Sequence, residues 1–68
     1  MTSRTYEFRV DGQLPAEERE TFADLRIEEV PAGLILRGEV MDESHLYGII
    51  ARFETLGLAI VSAAPVRD

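Results

Sequence analysis

Residues 42–57 read DESHLYGIIARFETLG, and this stretch decides the fold. Its apolar side chains recur at steps of three and four residues, which is the spacing of one face of an α-helix. They are Leu46, Ile49, Ile50, Phe53 and Leu56. Asp42 is a good N-cap, and Gly57 can end the helix. The stretch therefore predicts an amphipathic helix that packs one face on a sheet.

Alternating patterns upstream predict the central strands of that sheet. From Thr5 to Asp11 the aromatic and aliphatic residues fall on one face and the polar residues on the other, as in a half-buried strand. From Leu34 to Val40 the pattern repeats, which leaves Ile35, Arg37 and Glu39 on the solvent face. Each of the two strands is therefore predicted to bury one face in the core and to expose the other face to solvent.

The outer strands follow from the turns and from the last apolar run. Leu25 to Val30 alternates loosely and ends at Pro31-Ala32-Gly33, a turn that makes it the hairpin partner of the strand after it. Leu58 to Ala64 is apolar on both faces. That pattern suits a strand covered on both sides or one placed at a subunit seam.

A first, short helix is predicted over Ala16 to Asp24, with Pro15 at its first position and Phe22 as an anchor. The fold class is then α+β, a ferredoxin-like βαββαβ arrangement with a four-stranded antiparallel sheet and two helices on one face. If the first helix is absent, a βββαβ layer with the same core remains. Residues 1–68 are predicted to form a single domain.

The segment 41–61, MDESHLYGIIARFETLGLAIV, resembles small uncharacterised bacterial proteins with the pattern D-x-x-x-L-x-G-[LIV]-[LI]-x-R-[IVF]-x-x-L-G-L. The matching positions are Asp42, Leu46, Gly48, Ile49, Ile50, Arg52, Phe53, Leu56, Gly57 and Leu58. Residues 34–39 also look like the hairpin strand of those proteins, so the resemblance covers about half of the chain. It implies a strand, helix, strand order and no particular activity.

Composition excludes several classes of protein. The chain has 68 residues, no cysteine and a net charge of −6, so disulfides and thiolate chemistry are absent and the cytoplasm is the expected location. The seven arginines are scattered, and the acidic field repels phosphate backbones, so we expect no nucleic acid and no membrane as partner. Met1 to Phe8 has no apolar run, so neither a signal peptide nor a membrane span is expected there.

No catalytic or metal-binding constellation is predicted. His45 is the only histidine and could share a metal only with Asp42, which is needed as the helix cap. Ser44 is adjacent to His45, and neighbouring helix positions do not face each other. Tyr6 and Phe8 belong to the core face, so they do not form an RNA-stacking surface. We therefore expect no catalytic residues, no metal and no cofactor.

The outer face of the main helix is the first predicted contact surface. The residues on this face are small rather than charged, which is unusual for a helix face exposed to solvent. They are Ser44, Gly48, Ala51 and Thr55, flanked by Tyr47 and Arg52. The predicted interface residues are accordingly Tyr47, Gly48, Ala51 and Arg52 on the helix, with Ile60 and Val61 on the last strand. The open sheet face and the edge of the last strand are rival surfaces.

Three functions are consistent with this sequence. The first hypothesis is a non-enzymatic interaction module that binds itself, as a homodimer or higher oligomer, or another protein. The second is a regulatory domain that binds a small molecule at a subunit seam. The third is a small dimeric isomerase or oxygenase that transfers protons through Tyr6, Tyr47 or His45, and nothing in the spacing favours it.

Overall fold

The computed structural model describes residues 3–66 of the chain. Four strands and two helical segments follow one another in the order strand, helix, strand, strand, helix, strand. They are β1 (Arg4–Asp11), α1 (Ala16–Arg19) with a 3₁₀ turn (Glu20–Phe22), β2 (Arg26–Val30), β3 (Gly33–Val40), α2 (Glu43–Thr55) and β4 (Ala59–Pro65). The predicted α+β class is confirmed.

The strands form one sheet in the order β2-β3-β1-β4, and every neighbouring pair is antiparallel. In this order β3 lies between β1 and β2, which are joined through α1, and β1 lies between β3 and β4, which are joined through α2. Each of the two βαβ units thus has a strand of the other unit between its own two strands, which is the ferredoxin-like arrangement. The edges of the sheet are β2 and β4.

The core lies between the sheet and the helices and is centred on three aromatic rings. Phe53 of α2 meets Phe8 of β1 edge to face at 5.4 Å between ring centroids, and Phe22 of the 3₁₀ turn at 5.2 Å. Phe8, Phe53 and Leu36 are fully buried. The apolar stripe predicted for α2 is confirmed, since Ile49 and Phe53 are buried and the other three members pack against the core.

The predicted first helix exists, but only one turn of it is α-helical. The 3₁₀ turn continues it as far as Phe22, which is buried, as is Leu25 just after it. Gly38 of β3 lets this segment approach the sheet, because a Cβ there would collide with the Leu25 side chain and the Asp24 carbonyl oxygen. Burial of Phe22 and Leu25 therefore anchors the segment to the sheet, in addition to its local backbone hydrogen bonds.

On the open face of the sheet, the exposure of one residue differs from the sequence prediction. Ile35 lies on the predicted solvent face and yet is only 8% exposed. Its neighbours across the strands are Arg9 on β1 and Glu28 on β2. Long side chains beside it and Val61 nearby shelter it from water. Arg37 and Glu39 are exposed as predicted.

Candidate functional site

A groove runs between α2 and the segment that follows α1. It has a volume of about 440 Å³, and its walls combine apolar residues of the core with polar residues of the surface. They are Thr21, Phe22, Asp24, Leu25, His45, Gly48, Ile49 and Arg52. A second depression of about 520 Å³ shares Gly48 and Arg52 with it and is also lined by Ala51, Thr55 and Leu56 and by Glu18 of α1. We call the first of these two depressions the α2 groove.

The spacing of α2 and the absence of a side chain at Gly48 open this groove. His45, Gly48 and Arg52 stand three and four residues apart, so they follow one another along a single flank of the helix. Apart from the adjacent backbone of α2 itself, a Cβ built at Gly48 would meet no atom within 4 Å. Gly48 therefore leaves an unfilled gap between two residues with nitrogen donors.

The imidazole of His45 is held in place by the start of the helix. The Met41 backbone N–H donates to His45 Nδ1 at 3.0 Å, and the His45 backbone N–H donates to the Asp42 carboxylate at 2.8 Å. Because Nδ1 accepts a hydrogen bond, the neutral ring carries its proton on Nε2. The predicted capping role of Asp42 is confirmed, and the ring keeps Nε2 as its remaining donor.

Two charged residues that line the groove are not paired within the described part of the chain. The ion pairs among residues 3–66 join Arg9 and Arg37 to Glu7, and Arg19 to Glu29. Arg52 and Asp24 take part in none of them, although both line the α2 groove. The groove therefore offers one positive and one negative group over an apolar floor.

The open face of the sheet is occupied by an ion pair cluster on its two central strands. Arg37 donates from Nε to the Glu7 carboxylate at 2.8 Å, and Arg9 lies 3.5 Å from the other carboxylate oxygen. The hydrogen bond from Arg37, together with the charges of both arginines, lowers the pKa of Glu7 below its ordinary value of 4.5. These pairs are exposed, so they contribute little stability.

The edge of β4 is the other distinctive surface. None of its seven residues is charged, and six of them are exposed. The register with β1 pairs Arg9 with Ser62 and Val10 with Ile60, so Val61 has no partner and forms a β-bulge. Val61 is 62% exposed. This strand therefore presents an uncharged and unpaired edge to solvent.

The predicted interface residues fall into three places. Gly48, Ala51 and Arg52 line the two connected depressions beside α2. Tyr47 is 63% exposed and lies about 160° round the helix from His45, so it belongs to the opposite flank. On β4, Val61 is exposed, whereas Ile60 packs against the core. The structure thus separates Tyr47 from the helix residues with which it was grouped, whereas Ile60 and Val61 had been assigned to the last strand from the start.

Sequence reasoning missed the second wall of the groove. Thr21 and Asp24 reach it because the residue after each of them, Phe22 and Leu25 respectively, is buried. Nothing in the spacing of residues 18–24 marks them as neighbours of α2, since the contact depends on the path of the chain after α1. The small residues on α2 were the one signal that pointed to this side of the molecule.

Fold and surface together define a class, a small ferredoxin-like α+β domain with an open groove beside its main helix. Within residues 3–66 no group of three or more metal-ligating side chains occurs. None of the described helices is long and apolar enough to cross a membrane.

The chain belongs to the family described as "Domain of unknown function (DUF8691)", whose pattern matches residues 5–64. No curated protein and no solved structure matches the chain. The matched residues therefore include every strand and helix of the fold except the first and last residues of the sheet. The description of the family assigns no activity.

Proposed function

We propose that this protein is a non-enzymatic interaction module that forms a homodimer by pairing the β4 edges of two copies. The observation that carries the proposal is the charge of that edge. The chain has a net charge of −6, yet β4 contains no charged residue and is exposed along almost its whole length. Natural edge strands commonly carry charges that prevent pairing.

A second copy of the chain is the occupant that fits this edge. Two acidic molecules repel each other least where neither carries charge, and β4 is such a stretch on both. A two-fold axis would set β4 against itself in antiparallel fashion, so each copy would contribute the same patch. Main-chain hydrogen bonds would supply the affinity, as in other examples of strand addition.

The backbone of β4 has groups free for this pairing. The Val66 N–H donates to the Thr5 carbonyl oxygen at 2.8 Å, and Ala64 is paired with Glu7. Because hydrogen-bonding directions alternate along a strand, Ala64 faces β1 while Ala63 and Pro65 face outward. Ala63 thus offers one donor and one acceptor to a partner, whereas Pro65 offers only its carbonyl oxygen.

The bulge and the proline limit how far a partner strand can pair. The bulge at Val61 and the missing N–H of Pro65 leave a short stretch centred on Ala63. Both are devices that restrain edge pairing. A short, defined register favours one closed dimer over an open series of pairings.

The other edge explains why assembly would stop at two. Three of the five β2 residues are charged, namely Arg26, Glu28 and Glu29. In the proposed dimer the two β4 strands pair with each other, so the eight-stranded sheet ends at the β2 strand of each copy. Both of these remaining edges are charged. Self-association is therefore expected to end at the dimer.

Tyr47 fits the same arrangement. The segment before β2 packs against Gly38 of β3, so the flank of α2 opposite to it is the flank nearer to β4. A two-fold axis perpendicular to the sheet keeps the helices of both copies on one face. The two exposed Tyr47 side chains would then face each other across the seam. The cytoplasmic location expected from the cysteine-free sequence is part of this proposal.

The test is the mass of the protein in solution, measured by sedimentation over a range of concentrations. The native chain is expected to be a dimer, and Ala63→Pro a monomer that keeps its circular dichroism spectrum, because the lost N–H faces away from β1. Gly48→Glu, which adds a charge on the helix side, is expected to remain a dimer. A native monomer, a dimeric Ala63→Pro or a monomeric Gly48→Glu would overturn the assignment to β4.

A further inference from the structure

We propose that the α2 groove binds a small zwitterion with an apolar body, of the chemical class of an α-amino acid with an aliphatic or aromatic side chain. This inference goes beyond the dimer and does not depend on it, because the groove lies on the flank of α2 away from β4. Its volume of about 440 Å³ lies within the range of small-molecule sites.

The charges of the groove select the ligand. Arg52 and Asp24 line the same groove and pair neither with each other nor with another described residue. Both side chains are exposed to water, so an anion alone would face the carboxylate of Asp24 in an acidic molecule, and a cation alone would face the guanidinium of Arg52. A ligand that carries both charges can satisfy the two groups at once.

The donors on α2 suit the carboxylate end of such a ligand. The hydrogen bond from Met41 to Nδ1 leaves Nε2–H of His45 as a donor, and Arg52 follows it by two helical turns on the same flank. Between them Gly48 has no neighbour within 4 Å of its Cβ position. The ligand carboxylate can therefore approach the helix closely at Gly48, within reach of a donor on either side.

The floor of the groove suits the apolar body. Phe22, Leu25 and Ile49 line it and are 4%, 9% and 8% exposed. A ligand side chain laid over them would cover the exposed parts of three core residues, and burial of apolar surface favours binding. An amino acid without a side chain would gain none of this and is expected to bind more weakly.

The experiment is a titration of the isotope-labelled full chain, followed by two-dimensional amide NMR. Leucine and phenylalanine are the zwitterionic probes, 4-methylpentanoate supplies the carboxylate without the amine, and 3-methylbutylamine supplies the amine without the carboxylate. Shifts at the amides of Gly48, Ile49 and Thr21 are expected with at least one amino acid. Each half-ligand is expected to bind at least about tenfold more weakly, equivalent to about 1.4 kcal/mol.

Matched variants locate the site. Arg52→Gln and Asp24→Asn are each expected to weaken amino acid binding about tenfold while the spectrum of the folded protein persists. Arg9→Gln removes an arginine from the open face of the sheet, on the side opposite to the helices, and is expected to leave amino acid binding unchanged. Ala63→Pro is expected to bind like the native chain, which separates this proposal from the dimer. No shift with either amino acid at millimolar concentration, or equal binding of a half-ligand, would overturn it.

Discussion

The edge strands β2 and β4 both leave a row of backbone groups without a partner in the sheet, and they protect it by different means. On β2 the protection is electrostatic, with three charges in five residues and an Arg19–Glu29 pair at 2.6 Å. On β4 there is no charge, and the bulge at Val61 and the ring of Pro65 restrict access instead. Charged side chains disfavour pairing with any strand because they would lose contact with water, whereas a bulge and a proline restrict only the register. We therefore expect β4 to accept a partner strand in one register and β2 to accept none.

The largest expected effect is a difference in stability between proline substitutions at two adjacent alanines of β4. Ala64→Pro removes an N–H that faces β1 and places a ring against that strand, so it should lower the free energy of unfolding by about 3 kcal/mol. Ala63→Pro removes an outward N–H and should change it by less than about 1 kcal/mol. Thermal unfolding of both variants at low concentration, where the proposed dimer would dissociate, measures the difference. Equal melting temperatures would show that the assigned hydrogen-bonding directions of β4 are wrong.

The charges on β2 can be removed to ask whether they close that edge. The double variant Arg26→Thr, Glu28→Thr keeps Glu29 and its ion pair and leaves Glu29 as the one charged residue of β2. Because both edges would then accept partners, sedimentation should detect species larger than a dimer that increase with concentration. Glu39→Thr makes a similar change on the central strand β3 and serves as the control, whose mass should stay that of the native protein. An unchanged mass in the double variant would mean that β2 is blocked by something other than charge.

The smallest expected effect concerns the ion pairs on the two central strands of the sheet, which lie between the two edge strands. Arg37 lowers the pKa of Glu7 in the folded state, so the resulting stabilisation is present above the ordinary pKa of 4.5 and is lost as the pH falls through the lower folded value. Glu7→Gln should therefore lower the melting temperature slightly at neutral pH, and this difference should shrink as the solution is acidified below that range. Because the Glu7 side chain is partly exposed to solvent, high salt should reduce the effect as well. A difference that grows on acidification would contradict the assigned direction of the pKa shift.

Much of the fold could be predicted because its periodic elements are amphipathic. The core stripe of α2 and the alternation of β1 and β3 each specify one buried face, and the structure buries those faces. The Asp42 cap was predictable because the interaction is local, within three residues. The first helical segment was predicted in place but not in form, since a short acidic stretch has little helical preference beyond its anchor at Phe22.

The surfaces were less predictable than the core. Ile35 was expected in water and is sheltered by side chains from neighbouring strands. Ile60 and Val61 were grouped as contact residues, and the bulge in β4 separates an exposed valine from an isoleucine that packs on the core. Both outcomes depend on cross-strand neighbours and on a register shift, neither of which is written in the local pattern.

What the sequence determined by itself was the order of elements and the face that each one buries, because hydrophobic periodicity and turn residues act over short distances. The tertiary structure alone decided that β4 became a free edge, that Asp24 came to line the same groove as Arg52, and that Val61 lost its partner. Those outcomes follow from which strands became neighbours and from the path of the chain after α1. Such contacts join residues far apart in the sequence, and no local spacing specifies them.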